Sequence, residues 1–199
     1  MPTLAPTRTR LLQVASIRLA ERGYHGTSLA AVAEDVGVSK QALLHYFGSK
    51  ALLYRAVLDQ LGQDLLQMLF SAMQDGQSAE QQLDSFFAEL TARAVQDPWL
   101  PSLLLRVLIE DREAESGDAA LPLPLQDFLE PLIAVIQATE RLKGASFAQA
   151  LATALHLLGG ACLFPAAQAG LAQRFGPVVV EQLRDISLTQ IQALRATRQ

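Results

Sequence analysis

Thr27-Ser-Leu-Ala-Ala-Val-Ala-Glu-Asp-Val-Gly-Val-Ser-Lys-Gln-Ala-Leu-Leu-His-Tyr-Phe47 is the stretch whose reading decides the fold. Thr27 and Ser28 offer hydroxyls that can cap a short helix from Leu29 to Val36, and Gly37 closes it. Ser39 caps a second short helix, Lys40 to Tyr46, which Gly48 breaks. Ala33 is small enough for the two helices to pack closely, over a little core of Val32, Val38 and Leu43, with Leu29 as a further candidate. The second helix is too short to bury much, yet it presents Lys40, Gln41, His45 and Tyr46. A helix of that kind fits the major groove of DNA, where base edges carry a readable pattern of donors and acceptors.

Working outward, residues Met1 to Thr7 read as a loose arm with two prolines, and a helix from Thr9 to Arg22 ends at Gly23. Ser49 caps a long fourth helix from Lys50 toward Met73. Asp75-Gly76 is a turn, Ser78 starts a fifth helix, Asp97-Pro98 ends it, and Pro101 fits the first turn of a sixth. Glu113 to Pro124 reads as an acidic loop, followed by a helix from Leu125 to Leu142. Ser146 caps an eighth helix, and Gly170, Gly176 and Pro177 bracket its junction to a ninth that runs to the C-terminus. No run alternates as a strand would, so the fold class is all-α, with about nine helices.

Half of the residues are hydrophobic and only 18% are charged, ample for a packed core. The net charge of −4 is divided unevenly: residues 1–55 carry a net +4 and the remainder −8. A basic head on an acidic body draws phosphates to one end. Cys162 is the single cysteine, so no intramolecular disulfide forms, and with no signal-peptide pattern the expected location is the cytoplasm. The segment 144–173 holds no Asp, Glu, Lys or Arg, but Thr153, His156, Gly159, Gly160, Pro165 and Gln168 interrupt it. It reads as a buried or intersubunit helix, with no membrane contact expected. No nucleophile elbow, dinucleotide loop or phosphate-cradling Gly-Lys-Ser/Thr motif occurs, and His25, His45 and His156 are scattered singly. No enzymatic activity, metal or cofactor is expected.

With its flanks Ala20-Glu-Arg-Gly-Tyr24 and Gly48-Ser-Lys50, the opening stretch resembles the TetR family of transcriptional regulators, over about residues 8–55. The resemblance implies a DNA-binding domain over residues 5–65, with its helix-turn-helix at 28–47, and a C-terminal effector-binding and dimerisation domain over 66–199. It implies a homodimer, formed through the last two helices, that binds a palindromic operator in double-stranded DNA as a repressor. Position by position, Thr27 and Ser28 match hydroxyls that meet the phosphate backbone. Ser39, Lys40 and Gln41 match the opening of the recognition helix, His45 and Tyr46 match backbone contacts, and Lys50 matches a phosphate-binding lysine. Gln41 stands where many members have Gly, and Leu44 where Tyr is usual. The rival reading is a helical module that holds a protein partner without binding DNA.

In the eighth helix Leu151, Leu155, Leu158 and Cys162 recur at helical spacing among the small residues Ala148, Ala152, Gly159 and Gly160. Val180, Leu183, Ile191 and Leu194 repeat in the ninth. Two such helices suit a self-complementary interface, although a plain core reads the same way. An effector site for a mainly apolar small molecule is expected from Trp99, Leu103, Arg106, Val107, Phe128, His156 and Phe164, with Arg106 and His156 as its polar anchors.

Overall fold

The computed structural model describes residues 6–109 and 125–183. The start of the expected arm, the acidic loop at 113–124 and the C-terminal part of the ninth helix, with Ile191 and Leu194, lie outside the described residues. Among the described residues the regular elements are all helical. The order is α1 (Thr7–Gly26), α2 (Leu29–Val36), α3 (Lys40–Phe47), α4 (Lys50–Ala72), α5 (Ala79–Gln96), α6 (Trp99–Ile109), α7 (Gln126–Ala138) and α8 (Phe147–Phe175). A 3₁₀ turn at Glu140–Leu142 follows α7, and residues 177–183 begin α9.

Serine caps start most of these helices where the sequence placed them. The hydroxyls of Ser28, Ser39 and Ser49 each accept a hydrogen bond of 3.1 Å from the backbone three residues on. Ser78 with Gln81, and Ser146 with Gln149, form full capping boxes at α5 and α8. Three boundaries differ from expectation. The first helix is kinked at Gly23, where it was expected to end, and continues to Gly26. The seventh helix stops at Ala138, because Thr139 turns extended and its hydroxyl bonds the Ile136 carbonyl at 2.6 Å. Gly170 lies inside α8, and the helix continues to Gly176, whose φ is 84°. An isolated glycine in a long helix costs about 1 kcal/mol, too little to end one held by tertiary packing.

The expected division at residues 65/66 falls within α4, so an unbroken helix leads from the N-terminal head into the body. One contiguous hydrophobic cluster runs from Leu11 in α1 to Cys162 in α8. Helix α6 packs along both α1 and α8, while α4 packs on α1, α5 and α7. The body therefore reaches the head by two routes, through α4 and through α6.

Candidate nucleic-acid interface

The head is assembled from α1, α2 and α3. Val32, Ala33, Val36, Leu43 and Phe47 are buried between the helices, while Leu29 and Val38 are partly buried at their edge. Gly37 takes the left-handed conformation (φ 77°, ψ 34°) that the turn demands. Its N–H donates to Glu34 and that of Val38 to Ala33 at 2.9 Å, closing α2 with paired C-terminal bonds. Arg18 locks α1 to α2 with a bidentate pair on Asp35, at 2.6 and 2.7 Å. This pair holds the Asp35 carboxyl below its ordinary range and raises the Arg18 guanidinium, through the side-chain hydrogen bonds above all. Arg10 donates to the carbonyl of Val36 at the end of α2, at 3.1 Å.

On this frame Ser39, Lys40 and Gln41 stand exposed at the start of α3, and His45 and Tyr46 stand exposed near its end. Ser28 is exposed at the start of α2. Thr27 is turned inward: it is only 4% exposed, and its hydroxyl donates to the carbonyls of Gly23 at 2.8 Å and Arg18 at 3.1 Å. It ties the end of α1 together and does not offer its hydroxyl outward. Lys50 sits 4.5 Å from the Tyr24 ring centroid, with its ammonium 3.4 Å from the carbonyl of His25. Tyr24 in turn meets Tyr54 of α4 edge-on at 5.1 Å, so the end of α1 is joined to the start of α4. Arg8, to which the sequence reading gave no role, lies 5.4 Å over the ring of Phe47, beside the end of α3. Cation–π contact is not legible from a spacing of thirty-nine residues; the excess of positive charge near the N-terminus was the only signal.

The residues expected around an effector do not form one set. Leu103 and Phe128 are buried in the body, Phe128 packing on Phe86 at 5.7 Å, and Trp99 and Val107 pack against that core. Phe164 is half-buried. Neither expected polar anchor points into the body core. Arg106 reaches α1 instead, where its guanidinium donates to the carbonyls of Ala20 at 2.9 Å and Glu21 at 3.3 Å. His156 is exposed on the outer side of α8. The stripe along α8 also divides: Leu158 and Cys162 are buried in the body, Leu151 is partly buried and Leu155 is exposed, as is Leu163 outside the stripe. Burial pushes the Cys162 thiol up to about 12, which removes it from thiolate chemistry near neutral pH. No group of three or more metal-ligating side chains occurs among the described residues.

A short, doubly capped, exposed helix that follows a tight turn on a basic head has the arrangement of a helix-turn-helix. Residues 11–57 match the family model described as bacterial regulatory proteins, tetR family. The regulator RutR of Escherichia coli is 49% identical over 51 residues, covering 26% of this chain and 24% of that protein. The regulator UidR of the same organism is 38% identical over 53 residues, 27% of each chain. The chain thus spans about a quarter of the length of the curated relatives it matches. A TetR-like regulator from Rhodococcus sp. RHA1 shares the fold over 98% of this chain and 96% of its own, with a TM-score of 0.67 at 21% identity. A gamma-butyrolactone receptor shares it over 95% and 96%, with a TM-score of 0.62 at 20% identity. Residues 11–57 thus carry a segment of the tetR-family type, and the chain shares the fold of TetR-like proteins.

Proposed function

We propose that this protein is a homodimeric transcriptional repressor, acting in the cytoplasm, that binds a palindromic operator and is modulated by a small, mainly apolar effector. The observation that carries the DNA-binding part is the exposed face of α3, with Ser39, Lys40 and Gln41 at its start and no large apolar residue covering them. Ser39, Lys40 and Gln41 reach base edges or neighbouring phosphates, and Ser28, His45, Tyr46, Lys50 and Arg8 serve the backbone. Thr27 supports them from inside.

The outer side of α8 supports the dimer. Leu155 and Leu163 are exposed there, and Phe175, Val178 and Val179 continue the apolar surface toward α9. By length and composition alone α8 could cross a membrane. Its other side, however, packs on α5, α6 and α7, as a helix half-covered by its own chain and half by a second copy would do. For the effector, the support is an aromatic and aliphatic body, with Trp99, Leu103, Val107, Phe128 and Phe164 as candidate walls. One protein of the same fold is named as a gamma-butyrolactone receptor.

Selection of bound fragments from random or genomic DNA tests the reading. The expected result is enrichment of paired, inverted half-sites about 34–36 Å apart, or a multiple of that, with affinity that falls steeply with salt. Retention that ignores salt and sequence would favour a protein-binding module instead. A thermal-shift screen followed by operator titration with each hit tests the effector.

A further inference from the structure

Gly23 adopts φ 66° and ψ −177° inside α1, a backbone region essentially reserved for glycine. An α-helical bond from carbonyl i to N–H i+4 needs helical dihedrals at the three residues between. Gly23 therefore interrupts the bonds that would start at Ala20, Glu21 and Arg22. Two of these three carbonyls, Ala20 and Glu21, are the ones Arg106 takes from α6, at 2.9 and 3.3 Å. Beyond the kink, Tyr24 and Thr27 bind α4 and the preceding turn, and α2 follows at Leu29. Arg106 thus grips the head at the joint where α1 changes direction. Helix α6 also packs along α8, which exposes Leu155 and Leu163.

We propose that Arg106 is a positioning residue for DNA binding: it fastens α6 to the kinked end of α1 and so sets the separation of the two recognition helices in the dimer. The inference rests on the dimeric DNA-binding reading. The route is continuous, from α8 to α6 to the α1 joint to α2 and α3. A planar guanidinium that spans two adjacent carbonyls fixes direction as well as distance, which a flexible ammonium does less well. Losing it leaves α3 and its own contacts intact but lets each head rock. The protein then tolerates operators whose half-sites are wrongly spaced.

The test uses the full chain and the DNA fragments that the wild-type protein itself selects. Affinity is measured for a duplex with one half-site and for paired half-sites with the spacer as selected, and lengthened or shortened by one and two base pairs. Arg106→Met retains the apolar stem. It should bind the single half-site within about twofold of wild type, and its discrimination against wrong spacers should fall at least about tenfold, the smallest effect expected from losing charged hydrogen bonds to two carbonyls. Arg106→Lys should fall between the two. If the Met variant does not fold, Arg106→Gln, which retains an amide donor, takes its place in the same comparison. Wild-type discrimination in the variant overturns the proposal, and so does an equal loss on single and paired sites, which is what general unfolding would give. A wild-type chain that selects no paired sites overturns the dimeric DNA-binding reading and the proposal with it, and that result is visible before any variant is made.

Discussion

Thr27 separates two roles that a hydroxyl at the entrance of a helix can play. The neighbouring Ser28 caps α2, while Thr27 is buried and donates to two carbonyls of α1. Thr27→Val should therefore cost about 1 kcal/mol of stability, read from urea unfolding, and leave the salt dependence of DNA binding unchanged. A salt slope lower by about one unit would instead mark a phosphate contact. Gln41 and Lys50 should behave differently from it and from each other. Gln41→Ala should lose about 1–3 kcal/mol on the selected operator and relax one base position, with little effect on random DNA. Lys50→Ala should weaken all sequences alike and lower the salt slope by about one unit. Because Lys50 also sits on Tyr24 and near the His25 carbonyl, a small drop in melting temperature should accompany that loss. Equal losses for both variants on operator and random DNA would refute base readout by Gln41.

At the scale of elements, α1 and α2 are held by the Arg18–Asp35 pair, which makes part of the head sensitive to acid. The folded-state value of Asp35 lies below its ordinary 3.8, so folding favours the ionised carboxylate. The contribution is fully present above 3.8 and is lost as pH falls through the lower folded value. Asp35→Asn should lower the melting temperature at neutral pH, and the gap to the parent should close in strong acid. A gap that persists there would show that shape, not charge, joins the helices. The pair is partly exposed, so the effect should be small. Elements of this size were largely legible in the sequence: Ser28, Gly37, Ser39, Ser49, Ser78 and Ser146 each announce a boundary through a local bond that sequence spacing encodes. What could not be read was which side of an element meets what. Arg106 meets carbonyls more than eighty residues away, so no local pattern marks it. In α8 the absence of charge blurred the faces: Leu158 and Leu155 look alike in sequence, yet one is in the core and the other outside. The same ambiguity hid that His156 is exposed.

The whole molecule turns on that outer face of α8. Leu163 is 63% exposed, on the helix whose Leu158 and Cys162 are in the core. Replacing an exposed side chain away from the core should change the stability of a single chain by no more than about 0.5 kcal/mol. In a dimer closed over this face, Leu163→Glu would take a carboxylate out of water. Segment 144–173 holds no Lys or Arg to receive it, and an unpaired buried charge costs several kcal/mol. The dimer should therefore weaken by at least about 100-fold, equivalent to about 2.7 kcal/mol. Sedimentation at micromolar concentration should show a monomer that melts near the temperature of the parent's subunit fold. Binding to one half-site should survive, because α3 is untouched. Binding to the paired operator should fall by about 10²–10⁴, the factor that linking two sites supplies. These outcomes are coupled: a variant that stays dimeric and retains its operator affinity would place the subunit contact elsewhere. It would also break the route from α8 through α6 to the head, since that route needs α8 to be where the two chains meet.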